Sequence, residues 1–289
     1  METVGVVVLN FNNYKDTIHC VEGLFRQKGI NLYIVIVDNC STNESYLLLK
    51  QHKFSGPVRI ILNKTNAGYA AGNNVGLKEV ADLGIKWSLI LNPDTYFPSE
   101  NAINTLLEDT HKLRQVGVIG PQVLTDKGRT ILPYFLSPNL ITLLLEPFLR
   151  MALYPIWSVI GHRLITLPIK VYRVYGCCMF GATEIWKKAG FLDEVTFLYW
   201  EEAIFSHRLA AIGFYIYYTP RCTVVHCHEV TLKENRELMA HEFQSMKYFL
   251  TQYLGYGCVR NCIVKNSILI SSLIRRTLGF LYLRLFKPS

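Results

Sequence analysis

Asp94 lies in the stretch LILNPDTYF, three residues beyond the apolar run Leu89-Ile90-Leu91. A carboxylate at the end of a buried strand can hold a divalent cation between itself and a nucleoside diphosphate. Asn92 can add a neutral oxygen. Pro93 has no N–H and limits the backbone, which fixes the side chains on either side of it. The same tripeptide is also ordinary turn chemistry. In FLYWEEAIFSHRLAAIGF, Glu201 and Glu202 open a predicted helix. Adjacent helical side chains diverge by about 100°, so one carboxylate can face a cleft while the other is held by backbone or solvent. A helix N-terminus favours the ionised form, and an ionised carboxylate is what a general base requires. The competing reading is a plain acidic cap. In NKTNAGYAAGNNVGL, asparagines and glycines precede and open another helix. There is no Gly-Lys-Ser/Thr, and Gly68, Gly72 and Gly76 do not form G-x-G-x-x-G. A closely approaching backbone with Asn amides would suit a nucleotide or a sugar.

The elements around these stretches alternate over the first 120 residues or so. Apolar runs at Val4–Leu9, Leu32–Val37, Val58–Leu62, Trp87–Leu91 and Val116–Ile119 read as strands. Tyr14–Arg26, Glu44–His52, Gly72–Leu83 and Asn104–Leu113 read as helices. Fully apolar strands alternating with helices predict an α/β fold with a parallel sheet covered on both faces. Ligands bind such sheets beyond the carboxyl ends of the strands. Those ends carry Asn10 and Asn12, Asp38, Asn63 to Asn66, and Asn92 with Asp94. Singly, these are cap and turn residues; together on one edge they suggest a built site. Later, Val174–Phe180 reads as a strand, Thr183–Ala189 and Glu201–Ala211 as helices, and Phe214–Tyr218 and Cys222–Val225 as two strands. The segment of about 130–172 is rich in Leu, Ile, Pro and aromatics, an apolar insertion that is either buried or meets lipid.

Half of the residues are hydrophobic, 18% are charged, and the formal charge is +8. Disorder is excluded. The basic charge admits nucleic acid, an anionic membrane surface or phosphorylated substrates. Basic residues are spread out and no stacking motif is evident, so nucleic acid is not expected as a partner. The start METVGVVVLN lacks the pattern of a signal peptide, and no apolar run is long enough to span a bilayer. The eight cysteines are read as reduced thiols. Cys222, His226, Cys227 and His228 crowd together, but their spacing fits no common zinc pattern. The last 50 residues read as helical. SILISSLIRRTLGFLYLRLFK, with Arg275, Arg276, Arg284 and Lys287, suits a helix lying in a membrane interface; the alternative is a helix docked on the protein's own core.

In order, NFNN, VDNCSTN, NAGYAAGNN, LNPDT, YGCCMFGATEIWKKAGFLDE, FLYWEEAIFSHRLAAIGF and VVHCHE resemble the motifs of inverting family 2 glycosyltransferases of the GT-A fold. The resemblance covers about residues 3–230 and is greatest to the bacterial rhamnosyltransferase-like branch, which builds O-antigen and capsule. It implies a GT-A domain over 1–230, and the residues beyond, 231–289, are the helical, membrane-associating segment expected from their own composition. It implies that Asp38 contacts the nucleotide base or ribose, and that Asn10 and Asn12 border the nucleotide. Asn66, Gly68, Gly72 and Asn74 match the donor-lining segment. Asn92 and Asp94 match D-x-D, with Asp94 a metal and diphosphate ligand and Asn92 replacing the first acid. Glu202 matches the catalytic base, usually Asp, with Glu201 and Trp200 as acceptor-side or supporting residues. Arg208 matches a basic residue on the same helix, and His226 a histidine near the metal. Ile204 stands where an acid is common. The implied reaction uses Mg²⁺ or Mn²⁺ and a nucleotide-diphosphate sugar. dTDP-rhamnose is the first expectation, and UDP-hexose or UDP-galactofuranose the second. The acceptor is expected to be a glycan or lipid-linked oligosaccharide on polyprenyl diphosphate, met on the cytoplasmic, inner face of the cell membrane. A catalytically silent nucleotide-sugar binder is the alternative.

Overall fold

The structure is a computed structural model that describes residues 1–227 and 232–285, with the side chains of 154–156, 158–163, 232–236, 271–272 and 275–285 excepted. The calls on His228, Arg275, Arg276, Arg284 and Lys287 lie outside the described residues and side chains.

The four N-terminal apolar runs form parallel strands, β1 (Thr3–Asn10), β2 (Asn31–Asp38), β3 (Val58–Leu62) and β4 (Trp87–Leu91), in the order β3-β2-β1-β4. Val4, Val6, Val7 and Val8 of β1 are all fully buried, as expected of a strand covered on both faces. Helices α1 (Tyr14–Leu24), α2 (Ser45–Gln51), α3 (Tyr69–Asp82) and α4 (Ala102–Lys112) connect them or follow them. The chain builds outward from β1 to β3 and then returns to place β4 on β1's other side. That reversal is where doubly wound sheets open a crevice.

Beyond β4 the sheet is mixed. It continues through β8 (Cys178–Ala182), β6 (Val116–Thr125), β9 (Tyr215–His226) and β5 (Thr95–Tyr96), and β7 (Ile169–Val171) pairs with β9. β8 runs antiparallel to β4 and β6, whereas β6 and β9 run parallel. Three boundaries differ from the sequence expectation. β6 runs to Thr125, beyond the expected end at Ile119, and crosses Pro121 because the ladder shifts register between Pro121 and Gln122. The same irregularity joins the two expected strands at 214–218 and 222–225 into one, β9. Val174 to Cys177 lie outside the sheet, and only the following residues pair with β4.

The apolar insertion forms α5 (Leu140–Leu164), whose N-terminus has a capping box between Asn139 and Thr142. After β8 come α6 (Thr183–Lys188), α7 (Glu201–Ala211), α8 (Leu232–Gln252) and α9 (Cys258–Leu285). Met246, Phe249 and Leu250 of α8, Leu143 of α5 and Val264 of α9 are buried in one cluster with Trp200, Ala203 and Ile204. The C-terminal helices therefore pack on the helix that carries the two glutamates. No helix among the described residues is long and apolar enough to cross a membrane.

Candidate active site

The carboxyl ends of β1, β2 and β4 open onto a cleft of about 1020 Å³, lined by Asn12, Asn39, Asn66, Gly68, Asn92 and Asp94 among others. A smaller chamber of about 410 Å³ adjoins it and is lined by Arg173, Trp200, Glu201, Glu202, His226 and Glu242 among others. Tyr69, Asn92, Leu198 and Leu238 form walls of both. Asp94 and Glu202, separated by more than a hundred residues in sequence, thus face two connected spaces.

Asp94 is placed by the short strand that follows it. β5 pairs antiparallel with β9, setting Thr95 opposite His226. The Cys227 N–H donates to the Asp94 carbonyl at 2.8 Å. His226 Nε2 then lies 3.1 Å from Asp94 Oδ2. A carboxylate oxygen and an imidazole nitrogen so close together can share one divalent cation, with substrate phosphate oxygens and water completing the shell, as Mg²⁺ usually requires. No group of three or more His, Cys, Asp or Glu side chains suited to a metal occurs among the described residues. The donor set therefore fits an ion that phosphate helps to hold, rather than a closed structural site.

Glu202 is placed by strained backbone and a glycine. Tyr199 and Trp200, immediately before α7, both have positive φ, 67° and 68°. Such conformations cost roughly 1–3 kcal/mol each for a non-glycine residue and concentrate at functional sites. Gly176 donates its N–H to Glu202 Oε1 at 2.9 Å. A Cβ on Gly176 would sit 2.4 Å from that same oxygen, so glycine makes the approach possible. Among the described residues no donor engages Oε2. Tyr69 ties the two spaces together: its hydroxyl lies 3.0 Å from Asn92 Oδ1 and 2.8 Å from the Gly176 carbonyl, with one proton to donate between the two acceptors. Burial raises the Tyr69 pKa well above the usual phenol value, and nearby Glu201 and Glu202 add to this, so it stays protonated and remains a donor.

The two glutamates have different environments. Glu201 is buried, its Oε2 has no hydrogen-bond partner, and burial followed by repulsion from Glu202 raises its carboxyl well above the ordinary range. The expectation that the helix N-terminus keeps such a carboxylate ionised does not hold for Glu201, because desolvation outweighs the helix dipole. Glu202 carries the hydrogen bond and faces the chamber.

Several residues expected at the donor lie elsewhere. Asp38 and Asn10 are fully buried and bond to each other, Asn10 Nδ2 donating to Asp38 Oδ2 at 2.6 Å. Ser41 adds its N–H and hydroxyl to Asp38, each at 2.8 Å. Both line neither space and instead brace the β1 and β2 ends. Gly72 packs against β1, where a Cβ would meet Leu9 at 2.5 Å. Asn74 spans from α3 to the 192–194 loop, bonding Leu192 N and O and Glu194. Arg208 donates to the Gly190 carbonyl at 3.3 Å and borders a separate shallow hollow with Asp193 and Glu194. Asn12, Asn66, Gly68 and Asn92 do line the cleft, and Trp200 and Glu201 line the chamber. Gly68, with φ of 96°, also admits the Phe197 backbone, whose oxygen would lie 2.4 Å from a Cβ there.

Sequence reasoning missed Gly176, Arg173, Tyr69 and the α8 residues Leu238, His241 and Glu242. Only Gly176 and Tyr69 carried a local signal, as members of the quoted motifs. The cysteines are all free; Cys20, Cys177, Cys178 and Cys222 are buried, and burial raises their thiol pKa values, which keeps them unreactive.

Residues 5–161 match Glycosyl transferase family 2. Over 209 residues the chain is 26% identical to the low-salt glycan biosynthesis hexosyltransferase Agl10 of Haloferax volcanii, covering 72% of this chain and 62% of that protein. Over 103 residues it is 29% identical to an uncharacterized glycosyltransferase of Haemophilus influenzae, covering 36% and 33%. The chain thus spans less than two thirds of the length of either relative. Among solved structures it resembles Staphylococcus aureus TarS 1–349 in complex with UDP-GlcNAc, with TM-score 0.58, 13% identity and coverage of 86% and 67%. It also resembles GalNAc-T7 with UDP, GalNAc and Mn²⁺, with TM-score 0.57, 16% identity and coverage of 87% and 50%. At these identities the likeness carries the fold, which is GT-A.

Proposed function

The chain belongs to glycosyl transferase family 2, and from that premise we propose that it is an inverting, metal-dependent transferase of a hexose or deoxyhexose. The observation that carries this reading is the linked pair of spaces, with Asp94 on the larger, Glu202 on the smaller, and His226 lining the smaller while its ring lies 3.1 Å from Asp94. The nucleotide-diphosphate sugar occupies the larger cleft and the acceptor hydroxyl enters the chamber. Glu202 Oε2 takes the hydroxyl proton as the acceptor oxygen attacks the anomeric carbon. The bond from that carbon to the diphosphate oxygen breaks, and the configuration inverts. General-base help of this kind is worth about 10²–10⁴-fold. Asp94 and His226 would hold Mg²⁺ or Mn²⁺, which when bound offsets the charge gained by the leaving diphosphate. Gly176 and Tyr69 keep the base and Asn92 in register.

Two donors compete. dTDP-rhamnose is supported by the rhamnosyltransferase-like motifs. A UDP-hexose is supported by the hexosyltransferase activity of Agl10, which speaks for a hexose, and by UDP or UDP-GlcNAc in the two structural neighbours. The acceptor we propose is a glycan on a polyprenyl diphosphate at the inner membrane face, within cell-surface polysaccharide synthesis such as that of O-antigen. Two adjoining helices support this placement. Ile141, Leu145, Leu149 and Leu153 recur every fourth residue on α5 and are exposed. Val259, Ile263, Ile270 and Leu273 form an exposed stripe on α9, which packs beside α5. From Cys258 onward the sequence has Arg260, Lys265, Arg275, Arg276, Arg284 and Lys287 and no acid. A second copy of that stripe would meet like charge, whereas an anionic bilayer offers the complement. We accordingly divide the chain into a transferase domain over 1–230 and a membrane-associating segment over 231–289, with α5 adding to the same face.

One experiment tests the assignment. A panel of nucleotide sugars is screened for binding with Mn²⁺ by thermal shift, and transfer from the selected donor is followed in wild type and Glu202→Gln. Loss of transfer with donor binding retained, and abolition of transfer by EDTA with recovery on adding Mn²⁺, is expected. Near wild-type turnover in Glu202→Gln would remove Glu202 from the base role; indifference to EDTA would remove the metal.

A further inference from the structure

Arg173 is the one lysine or arginine among the described residues that line the smaller chamber. Its guanidinium lies 3.7 Å from the Tyr134 ring centroid and 5.1 Å from that of Trp200. Arg150 lies 4.0 Å from the same Tyr134 centroid and is bonded: it donates to the Pro133 and Leu132 carbonyls and to the Tyr175 hydroxyl. Arg173 has no such bonds. Among the described residues its side chain makes neither a hydrogen bond nor an ion pair within 4.0 Å.

That contrast is informative because a guanidinium carries five N–H donors in its plane. Aromatic rings over its faces supply cation–π attraction but accept none of those in-plane donors. Removing donors from bulk water without acceptors is costly, so partly buried guanidinium groups are normally bonded. Arg173 lines a chamber of about 410 Å³, large enough for a sugar ring. The neighbouring acids do not pair with it: against the opposing effect of burial, Glu202 and Glu146 favour the cationic form of Arg173 through space, while Glu146 bonds toward Arg150 and Glu202 accepts from Gly176.

We propose that Arg173 is the recognition residue of an oxyanion carried by the acceptor, a phosphate or a carboxylate group on or next to the sugar that is glycosylated. The inference rests on the transferase reading, since it places the acceptor in the chamber beside Glu202. A planar fork is suited to both oxyanions, which it grips through two parallel N–H···O bonds. Phosphate would come from the carrier end of a lipid-linked or phosphorylated sugar, and carboxylate from a uronic acid.

The test titrates glucose, glucose 1-phosphate and glucuronic acid into the full chain saturated with UDP and Mn²⁺, followed by calorimetry or ligand-observed NMR. At least one charged sugar should bind roughly 10-fold or more tightly than glucose, the value of one charge-assisted contact. Preference for the phosphate or the carboxylate probe names the source. Arg173→Gln should erase the preference with UDP affinity unchanged, and Arg173→Lys, which keeps the charge but not the fork, should retain part of it. Charged sugars that bind no better than glucose, or a preference that survives Arg173→Gln, would overturn the proposal. Absence of UDP binding in a chain that kept the Arg173-dependent preference would instead overturn the transferase reading.

Discussion

Adding a single methyl group at Gly176 should separate catalysis from stability. The Cβ of Gly176→Ala would lie 2.4 Å from Glu202 Oε1 and 3.1 Å from Cδ. To reach ordinary contact the carboxylate must retreat by about 1 Å, and a misplacement of that size costs on the order of 10²-fold in rate. Stability should barely move. The residue has no positive φ, so alanine is compatible with the backbone and gains roughly 0.4–1 kcal/mol by restricting the unfolded chain. Weakening the 2.9 Å bond from Gly176 N–H costs about 0.5–1.5 kcal/mol. The two nearly cancel, and the clashing atom is the far end of a flexible side chain. Single-turnover release of nucleoside diphosphate, with acceptor present, should therefore fall about 100-fold, while the melting temperature and donor affinity hold. Glu202→Asp, one methylene shorter, should lose activity alone but recover part of it in the Gly176→Ala background, a positive coupling in a double-mutant cycle. Turnover within about threefold of wild type in Gly176→Ala, or strictly additive losses in the cycle, would refute the placement of Glu202 by Gly176.

Two further outcomes follow from the same geometry. Glu201 holds its proton to higher pH folded than unfolded, because burial and then Glu202 raise it. Once pH exceeds the unfolded value of about 4.3, the unfolded chain releases a proton that the folded chain keeps, so stability falls as pH rises until Glu201 ionises in the folded state. Melting curves of wild type and Glu201→Gln should coincide near pH 4 and separate above it, wild type losing ground; parallel curves from acid to neutral would show that Glu201 is not so perturbed. The helical ridge should bind the chain to vesicles of phosphatidylglycerol but not of phosphatidylcholine alone, at about 1 kcal/mol per engaged cation. The double variant Leu145→Glu, Leu149→Glu should release it in sedimentation, and equal binding to neutral vesicles, or an unaffected variant, would count against a lipid partner.

The parallel half of the fold was legible because each strand is a short apolar run with a helix after it, and burial on both faces leaves no room for another pattern. Val58–Leu62 and Trp87–Leu91 match the structure residue for residue. The later strands were less legible. Pro121 removes an N–H from β6, yet β9 accommodates it with a shift in register. That adjustment depends on a strand almost a hundred residues away, which no local window contains. The segment Val174–Cys177 has strand-like residues but is drawn out of the sheet, so that Gly176 can bond Glu202.

The site divides along the same line. Residues at strand ends were visible as a set, but their type did not reveal which of them face the ligand. Asn10 shares the chemistry of Asn12, and Asp38 resembles Asn39; what separates each pair is one or two residues along the chain, from a fully buried end to the wall of the cleft. A buried amide–carboxylate pair at that step is what fixes the two strand ends in register, and it holds the rim residues at the spacing a ligand meets. The acceptor side was hidden for a different reason. Its walls come from Arg173, from Trp200 in a left-handed conformation, and from Leu238 and Glu242 on α8, a helix that looked like an appendage. Because Met246, Phe249 and Leu250 bury α8 against α7, the segment that we assign to the membrane also closes the chamber. Under the proposed function, lipid contact and acceptor entry would be linked through this one packed cluster, and truncating the chain before α8 should remove the chamber wall together with α9.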